Sequence, residues 1–355
     1  MPLARIQIDA VRCLKDVDIH LHRERNYLFG ANAAGKTSVL ESVFLLGRGR
    51  SFRTRQTARL VKHGSDGLTV YGEATRDLQR HRIGVAFSGN ALEIKIDGRS
   101  SVGRTQLAGL LPVHILDPKL HELIEAGPSV RRRYLDAGVF HVEHGYLEAW
   151  RAYRRVLGQR NAALKARVPD AGLQVWSRSL VETGTAVHAA RETYVAELAR
   201  LVESAGRRLL DRPLSIIYRR GWRQDVSFEQ ALENSADRDR SAGYTQVGPH
   251  RADLAIHLDT AAARDEASRG QQKLAAAAIV LAQVRLISDR KGDGGVLLVD
   301  EPAAELDKAS LERLMHELGA LNAQLLVTGL SERSLRPQSG FPVFHVEQGN
   351  VKPVL

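Results

Sequence analysis

Gly30-Ala31-Asn32-Ala33-Ala34-Gly35-Lys36-Thr37 fits the pattern G-x-x-x-x-G-K-[ST], and its flanks give it the setting that the pattern needs. Asn26-Tyr27-Leu28-Phe29 reads as a short buried strand. Lys36 to Leu46, apolar at Val39, Leu40, Val43, Leu45 and Leu46, reads as the amphipathic helix that follows. A strand, a glycine loop and a helix start aim successive backbone N–H groups and the positive helix end at one place, where a polyphosphate is held. Gly30 and Gly35 permit the tight backbone, and the amides of Ala31, Asn32, Ala33 and Ala34 complete the cradle. Lys36 reaches the outer phosphates, the Thr37 hydroxyl ligates Mg²⁺, and Ser38 adds a hydroxyl near the inner phosphates. The expected ligands are ATP and Mg²⁺.

The rest of such a site lies far along the chain. Val296 to Val299 is wholly apolar and ends in Asp300-Glu301, as expected of a parallel central strand that delivers carboxylates to the loop end of a sheet. Asp300 would join the Mg²⁺ shell, and Glu301 would orient and polarise the attacking water. Ser268-Arg269-Gly270-Gln271-Gln272 opens a helix, where Ser268, Gly270 and Gln271 are placed to meet a γ-phosphate. Glu305-Leu306-Asp307 follows the acidic pair. That order of phosphate loop, serine-glycine helix start, Asp-Glu strand and Leu-Asp turn is similar to the ABC-type ATPases. The similarity implies a nucleotide sandwiched between two protomers, with Ser268 acting in trans.

Composition sets the frame. Lys and Arg outnumber Asp and Glu by 51 to 41, a formal net charge of +10 in 355 residues, which favours a polyanionic partner, nucleic acid first. There is no apolar run of membrane-spanning length and no signal-peptide pattern at the start, so a soluble cytoplasmic protein with no membrane partner is expected. Cys13 is the single cysteine, which excludes an intrachain disulfide and a cysteine-built zinc site. Strand patterns dominate up to about Asp117. Two long helical patterns, Tyr146 to Arg167 and Leu173 to Leu210, then form an antiparallel arm around Pro169-Asp170-Ala171-Gly172. After Gly248-Pro249-His250 strands and helices alternate again. The expected fold is therefore α/β, an ABC/SMC-head-like P-loop domain (1–118 and 246–355) split by an inserted helical lobe (119–245).

Within this class the chain resembles the RecF family of bacterial recombination and gap-repair proteins, related to the heads of SMC proteins. Besides the motifs above, the resemblance rests on Gly49-Arg50-Ser51-Phe52-Arg53-Thr54, Gly127 to Asp136 with its Arg131-Arg132-Arg133-Tyr134-Leu135-Asp136, Tyr153-Arg154-Arg155 with Gln159-Arg160-Asn161, and Val247-Gly248-Pro249-His250-Arg251-Ala252-Asp253. It implies an ATP-driven homodimer with a slow, DNA-stimulated ATPase used as a switch. It also implies binding to double-stranded DNA at the edges of single-stranded gaps, action with RecR and RecO in loading RecA, and support of the SOS response. Three positions depart from the pattern. Ala33 stands where the family usually has glycine, Glu301 where many members have a second aspartate, and Thr328-Gly329 where transporter ATPases carry a histidine. For the adenine contact the sequence offers Arg12 or Lys15.

Three basic clusters suit DNA phosphates: Arg50, Arg53 and Arg55; Arg131, Arg132 and Arg133; and Arg219 and Arg220 with Arg223. No aromatic ladder interleaves with them, which favours backbone contact with duplex over base stacking. Two other readings are the energy subunit of a transporter and the ATPase head of a nuclease. The helical arm, Gln271 in place of a second motif glycine and the missing histidine weigh against the first. The short stretch after the last expected strands weighs against the second.

Overall fold

The structure, a computed structural model, describes residues 2–76, 79–100, 103–335 and 339–354. The chain divides into two compact units, 1–120 with 284–355, and 121–283. The first contains two sheets. A five-stranded antiparallel sheet has the order β2-β1-β4-β5-β6, from β1 (Leu3–Asp9), β2 (Asp16–His20), β4 (Gly67–Arg76), β5 (Gln79–Ser88) and β6 (Ala91–Ile96). The six-stranded sheet runs β14-β13-β3-β12-β11-β7, from β3 (Arg25–Phe29), β7 (Val113–Leu116), β11 (Val296–Val299), β12 (Gln324–Gly329), β13 (Val343–Glu347) and β14 (Asn350–Pro353). In this second sheet β13, β3, β12, β11 and β7 are parallel neighbours, and only β14 runs antiparallel to its partner. The four-residue β7 escapes a pattern reading because it is short and carries His114 among its apolar residues.

The helix α1 (Lys36–Arg48) lies among strands of both sheets, and all of its residues but Thr37 and Arg48 are buried. Its sequence alone predicts an amphipathic helix with one solvated face. Packing on two sides removes that face and explains why Ser38, Glu41 and Ser42 are also inside. A single apolar core joins Ile6 and Ile8 of β1, Val39, Leu40 and Val43 of α1, and Leu298, Leu326 and Val346 of the parallel sheet. At the end of α1, a Cβ on Gly47 would lie 2.2 Å from Val113 Cγ2 and 2.9 Å from the Leu111 carbonyl oxygen. Glycine there sets how close the helix comes to β7.

The second unit is the helical lobe. Its long pair of helices, Tyr146–Lys165 and Asp170–Leu210, runs antiparallel, as contacts from Arg160 to Ser177 and from Arg191 to Tyr146 require. A shorter helix, Pro128–Val142, precedes them. A three-stranded sheet, β10-β9-β8, is built from β8 (Leu214–Arg219), β9 (Asp253–Leu258) and β10 (Ala261–Ala262). Strand β9 therefore pairs within this lobe, not with the parallel sheet. The Gly-Pro-His turn is not the return to the first unit, which comes at Val284, inside the helix Arg269–Lys291.

The segments around Asp136, Tyr153 and His250, on which the resemblance partly rests, are internal fastenings of this lobe. Arg191 donates to Asp136, to the Tyr146 hydroxyl and to the Pro249 carbonyl. The Tyr153 hydroxyl donates to His250 Nδ1 at 2.6 Å, and His250 Nε2 donates to the Thr245 carbonyl at 2.9 Å. His250 is thus held neutral, and burial lowers its pKa to about 4 even though the bond to Thr245 acts in the opposite direction.

Two outcomes are expected. Gly47→Ala should lower stability by about 1–2 kcal/mol, because the clash outweighs the better helix propensity of alanine; equal or higher Tm would contradict the close approach. Because the unfolded His250 protonates near its ordinary value of about 6.5 and the folded one only near 4, stability is lost as pH falls through that window. His250→Asn should flatten the fall in Tm between those pH values, and an unchanged slope would contradict it.

Candidate nucleotide-binding site

The parallel strands bring the separated motifs to one edge. Strand β3 ends at the phosphate loop, β11 ends at Asp300, and Thr328 of β12 stands between them, paired with Leu28 on one side while Val327 is paired with Val299 on the other. The loop is tightly built. A Cβ on Gly30 would fall 2.1 Å from the Val346 carbonyl oxygen, and Gly35 has φ +119 with Cys13 Sγ 3.0 Å from where a Cβ would be. Ala33, the departure from the family glycine, adopts φ 63. A non-glycine residue in that left-handed region carries a cost of about 1 kcal/mol.

Lys36 is only 3% exposed; its Nζ donates to the carbonyls of Gly30 (2.9 Å) and Ala31 (3.0 Å) and lies 3.2 Å from Glu301 Oε1. The phosphate-loop lysine and the Glu301 carboxylate, 265 positions apart in sequence order, thus meet directly. The Thr37 hydroxyl donates to Asp300 at 2.9 Å, and the Thr328 hydroxyl donates to Asp300 Oδ1 at 2.8 Å. Burial raises the Asp300 pKa, while the bonds from Thr328 and Thr37 oppose that rise. Glu301 adopts φ 48, and its amide donates to Thr328 Oγ1 at 3.0 Å. Ser38 is buried, with Oγ 3.9 Å from Cys13 Sγ. Among the described residues no group of three or more His, Cys, Asp or Glu side chains forms a metal cage. The oxygen donors Thr37 and Asp300 suit Mg²⁺, which takes few protein ligands and completes its shell with phosphate and water.

Ser268 lies in the other unit, exposed at the start of the helix Arg269–Lys291. Its amide donates to Gln271 Oε1 (2.9 Å) and its hydroxyl accepts from the Gln271 amide (3.4 Å), a reciprocal cap that engages the Gln271 side chain. Gly270 follows in the first turn, and Asp307 caps the helix Lys308–Gly319.

The basic clusters separate. Arg53, Arg55, Arg133 and Arg219 are exposed, as is Arg50. Arg131 is not an outward-facing charge: it forms a two-pronged pair with Asp253 at 2.8 and 3.0 Å and donates to the Ala126 carbonyl. Arg132 donates to the Ala252 carbonyl, Arg220 lies over Trp222 and donates to the carbonyls of Arg223 and Val226, and Arg223 pairs with Asp225. Arginines in a row read alike in a sequence; the tertiary fold gives Arg131 and Arg132 their distant partners Asp253 and Ala252, while the partners of Arg220 and Arg223 lie within six residues of them. Arg12 is likewise engaged by Glu41 and the Arg59 carbonyl, and Lys15 is exposed. Sequence reasoning missed buried Glu41, which also accepts from Ser51, whose Oγ in turn accepts from the amides of Arg53 and Thr54. Glu41 falls at an interior helix position, and no local signal marks it.

The chain as a whole has close counterparts. The chain matches the RecF/RecN/SMC N-terminal domain over residues 2–352. It is 37% identical to the DNA replication and repair protein RecF of Chromohalobacter salexigens and 36% identical to that of Vibrio vulnificus strain CMCP6, with 99% of each chain covered. A solved structure of the recombination mediator protein RecF-ATP in the RecFOR pathway superposes with a TM-score of 0.87 at 26% identity, covering 100% of this chain and 98% of that one. An Smc head bound to the C-winged helix domain of ScpA matches at 0.59 and 16% identity, over 100% of this chain and 97% of that one, a likeness of fold. With the domain pattern spanning nearly every residue and relatives of matching length, this chain belongs to the RecF family.

Proposed function

We propose that this protein is an ATP-dependent DNA-binding switch of recombinational and replication-gap repair. The observation that carries the reading is the meeting of Lys36, Thr37, Asp300 and Glu301 at one sheet edge, in a chain that matches RecF proteins end to end. ATP would lie along the loop amides, with Lys36 on the outer phosphates and Mg²⁺ held by Thr37 and Asp300. Glu301, partly exposed beside Lys36, is the group to orient water. The exposed Ser268 helix start suits a γ-phosphate supplied by a second protomer, so that ATP closes a homodimer and slow, DNA-stimulated hydrolysis releases it. Arg50, Arg53, Arg55, Arg133 and Arg219 are the candidates for contact with duplex phosphates at gap edges. RecR, and RecO through it, are the partners that the family suggests, with RecA loading and the SOS response downstream and the cytoplasm as the place of action. Among the described residues no helix is long and apolar enough to cross a membrane.

Glu301→Gln should cut hydrolysis by at least about a hundredfold while retaining ATP, and Lys36→Ala should abolish ATP binding. Ser268→Arg should leave ATP affinity near that of the native chain and lose hydrolysis; normal turnover in this variant would reduce Ser268 to a helix cap.

For DNA, Arg53→Ala with Arg133→Ala should weaken binding to all sequences alike and flatten the dependence of log K on log salt by about 0.9 for each phosphate that is no longer neutralised. Arg131→Ala should instead lower stability by about 3 kcal/mol, because it strands the Asp253 carboxylate. A salt-insensitive complex, or unchanged Tm in Arg131→Ala, would contradict this division of roles.

A further inference from the structure

We propose that Thr328 is a positioning residue for hydrolysis, whose hydroxyl fixes both the Asp300 carboxylate and the backbone from which Glu301 projects. The proposal rests on the ATPase reading above and adds a residue to it. Thr328 lies in β12 directly beside the end of β11, and none of its surface is exposed. Its one proton goes to Asp300 Oδ1 at 2.8 Å, in preference to the Val299 carbonyl at 3.5 Å. A lone pair on the same oxygen accepts the Glu301 amide at 3.0 Å. Its only proton is given to Asp300, so this hydroxyl has none to offer a γ-phosphate.

The geometry explains why a hydroxyl is needed. Asp300 is buried and receives two hydroxyls from different elements, Thr37 from α1 and Thr328 from β12. When Thr37 turns to a metal, Thr328 remains as the donor that holds the carboxylate in place. Glu301 occupies the left-handed region at φ 48, a conformation a glutamate adopts only when its surroundings impose it. The Glu301 amide anchored on Thr328 and the Glu301 carbonyl accepting from Ala304 at 3.0 Å impose it from both sides. A β-branched residue in a strand has a restricted χ1, which keeps the hydroxyl aimed between the two acidic residues. Valine has the same shape without the oxygen, and serine keeps the oxygen.

The test uses the full chain with Thr328→Val, Thr328→Ala and Thr328→Ser. Steady-state hydrolysis gives kcat and KM, and electron paramagnetic resonance gives Mn²⁺ affinity in the presence of ADP, a readout that does not need turnover. Thr328→Val should lose about tenfold or more in kcat and in Mn²⁺ affinity, as removal of an outer-shell partner does, with KM for ATP changed less than about threefold. Thr328→Ser should restore both to within about twofold of the native chain. If Thr328→Val does not fold, Thr328→Ala against Thr328→Ser makes the same comparison. Native kcat and Mn²⁺ affinity in the hydroxyl-free variants would overturn the proposal, and so would equal impairment of the valine and serine variants, which would assign the effect to packing. A native chain that does not hydrolyse ATP at all would sink the ATPase reading instead, while the Mn²⁺ comparison would still decide the role of Thr328.

Discussion

Parallel pairing of β3, β12 and β11 is the constraint on which the site depends. Each strand contributes what lies at its carboxyl end: the glycine loop, Thr328 and Asp300-Glu301. Because the register is fixed residue by residue, a slip of one position in β12 would turn Thr328 to the opposite face and leave Asp300 with one hydroxyl fewer. The apolar side chains of β11 and β12, buried on both faces of the sheet, make that slip costly. Stability of the sheet and geometry of the acidic pair are thus one property.

Around this edge the charges are paired within the protein. Lys36, nearly inaccessible, is satisfied by two carbonyls and Glu301, so its positive charge faces an acidic group that phosphate oxygens would replace. On the far side of α1, Glu41 is buried against Arg12 and Ser51. This network ties the segment that displays Arg53 and Arg55 to the helix that starts at the phosphate loop, and Ser51 orders it through the amides of Arg53 and Thr54.

Much of this was legible in the amino-acid order. The strand, loop and helix at Asn26 to Leu46, the Asp-Glu strand and the long helical pair carry local signals, in glycine spacing, apolar runs and charge periodicity, that survive without tertiary context. What was not legible depends on distant partners. Strand β9 reads like a member of the nucleotide domain, but its edge is satisfied by β8 in the helical lobe. Arg131 reads like a DNA contact until Asp253 is placed beside it. Thr328 reads as a missing histidine, and only its two bonds reveal what the oxygen does.

In the function proposed above, nucleotide at the Lys36–Asp300 edge drives two copies of the chain together on duplex DNA. Sedimentation velocity of the native protein, alone, with ATP and Mg²⁺, and with both plus a short duplex, tests it most directly. The expected result is a monomer without nucleotide, a dimer with ATP and a dimer that migrates with the duplex; a protein that stays monomeric under all three conditions, or dimerises equally without ATP, would contradict ATP-driven closure.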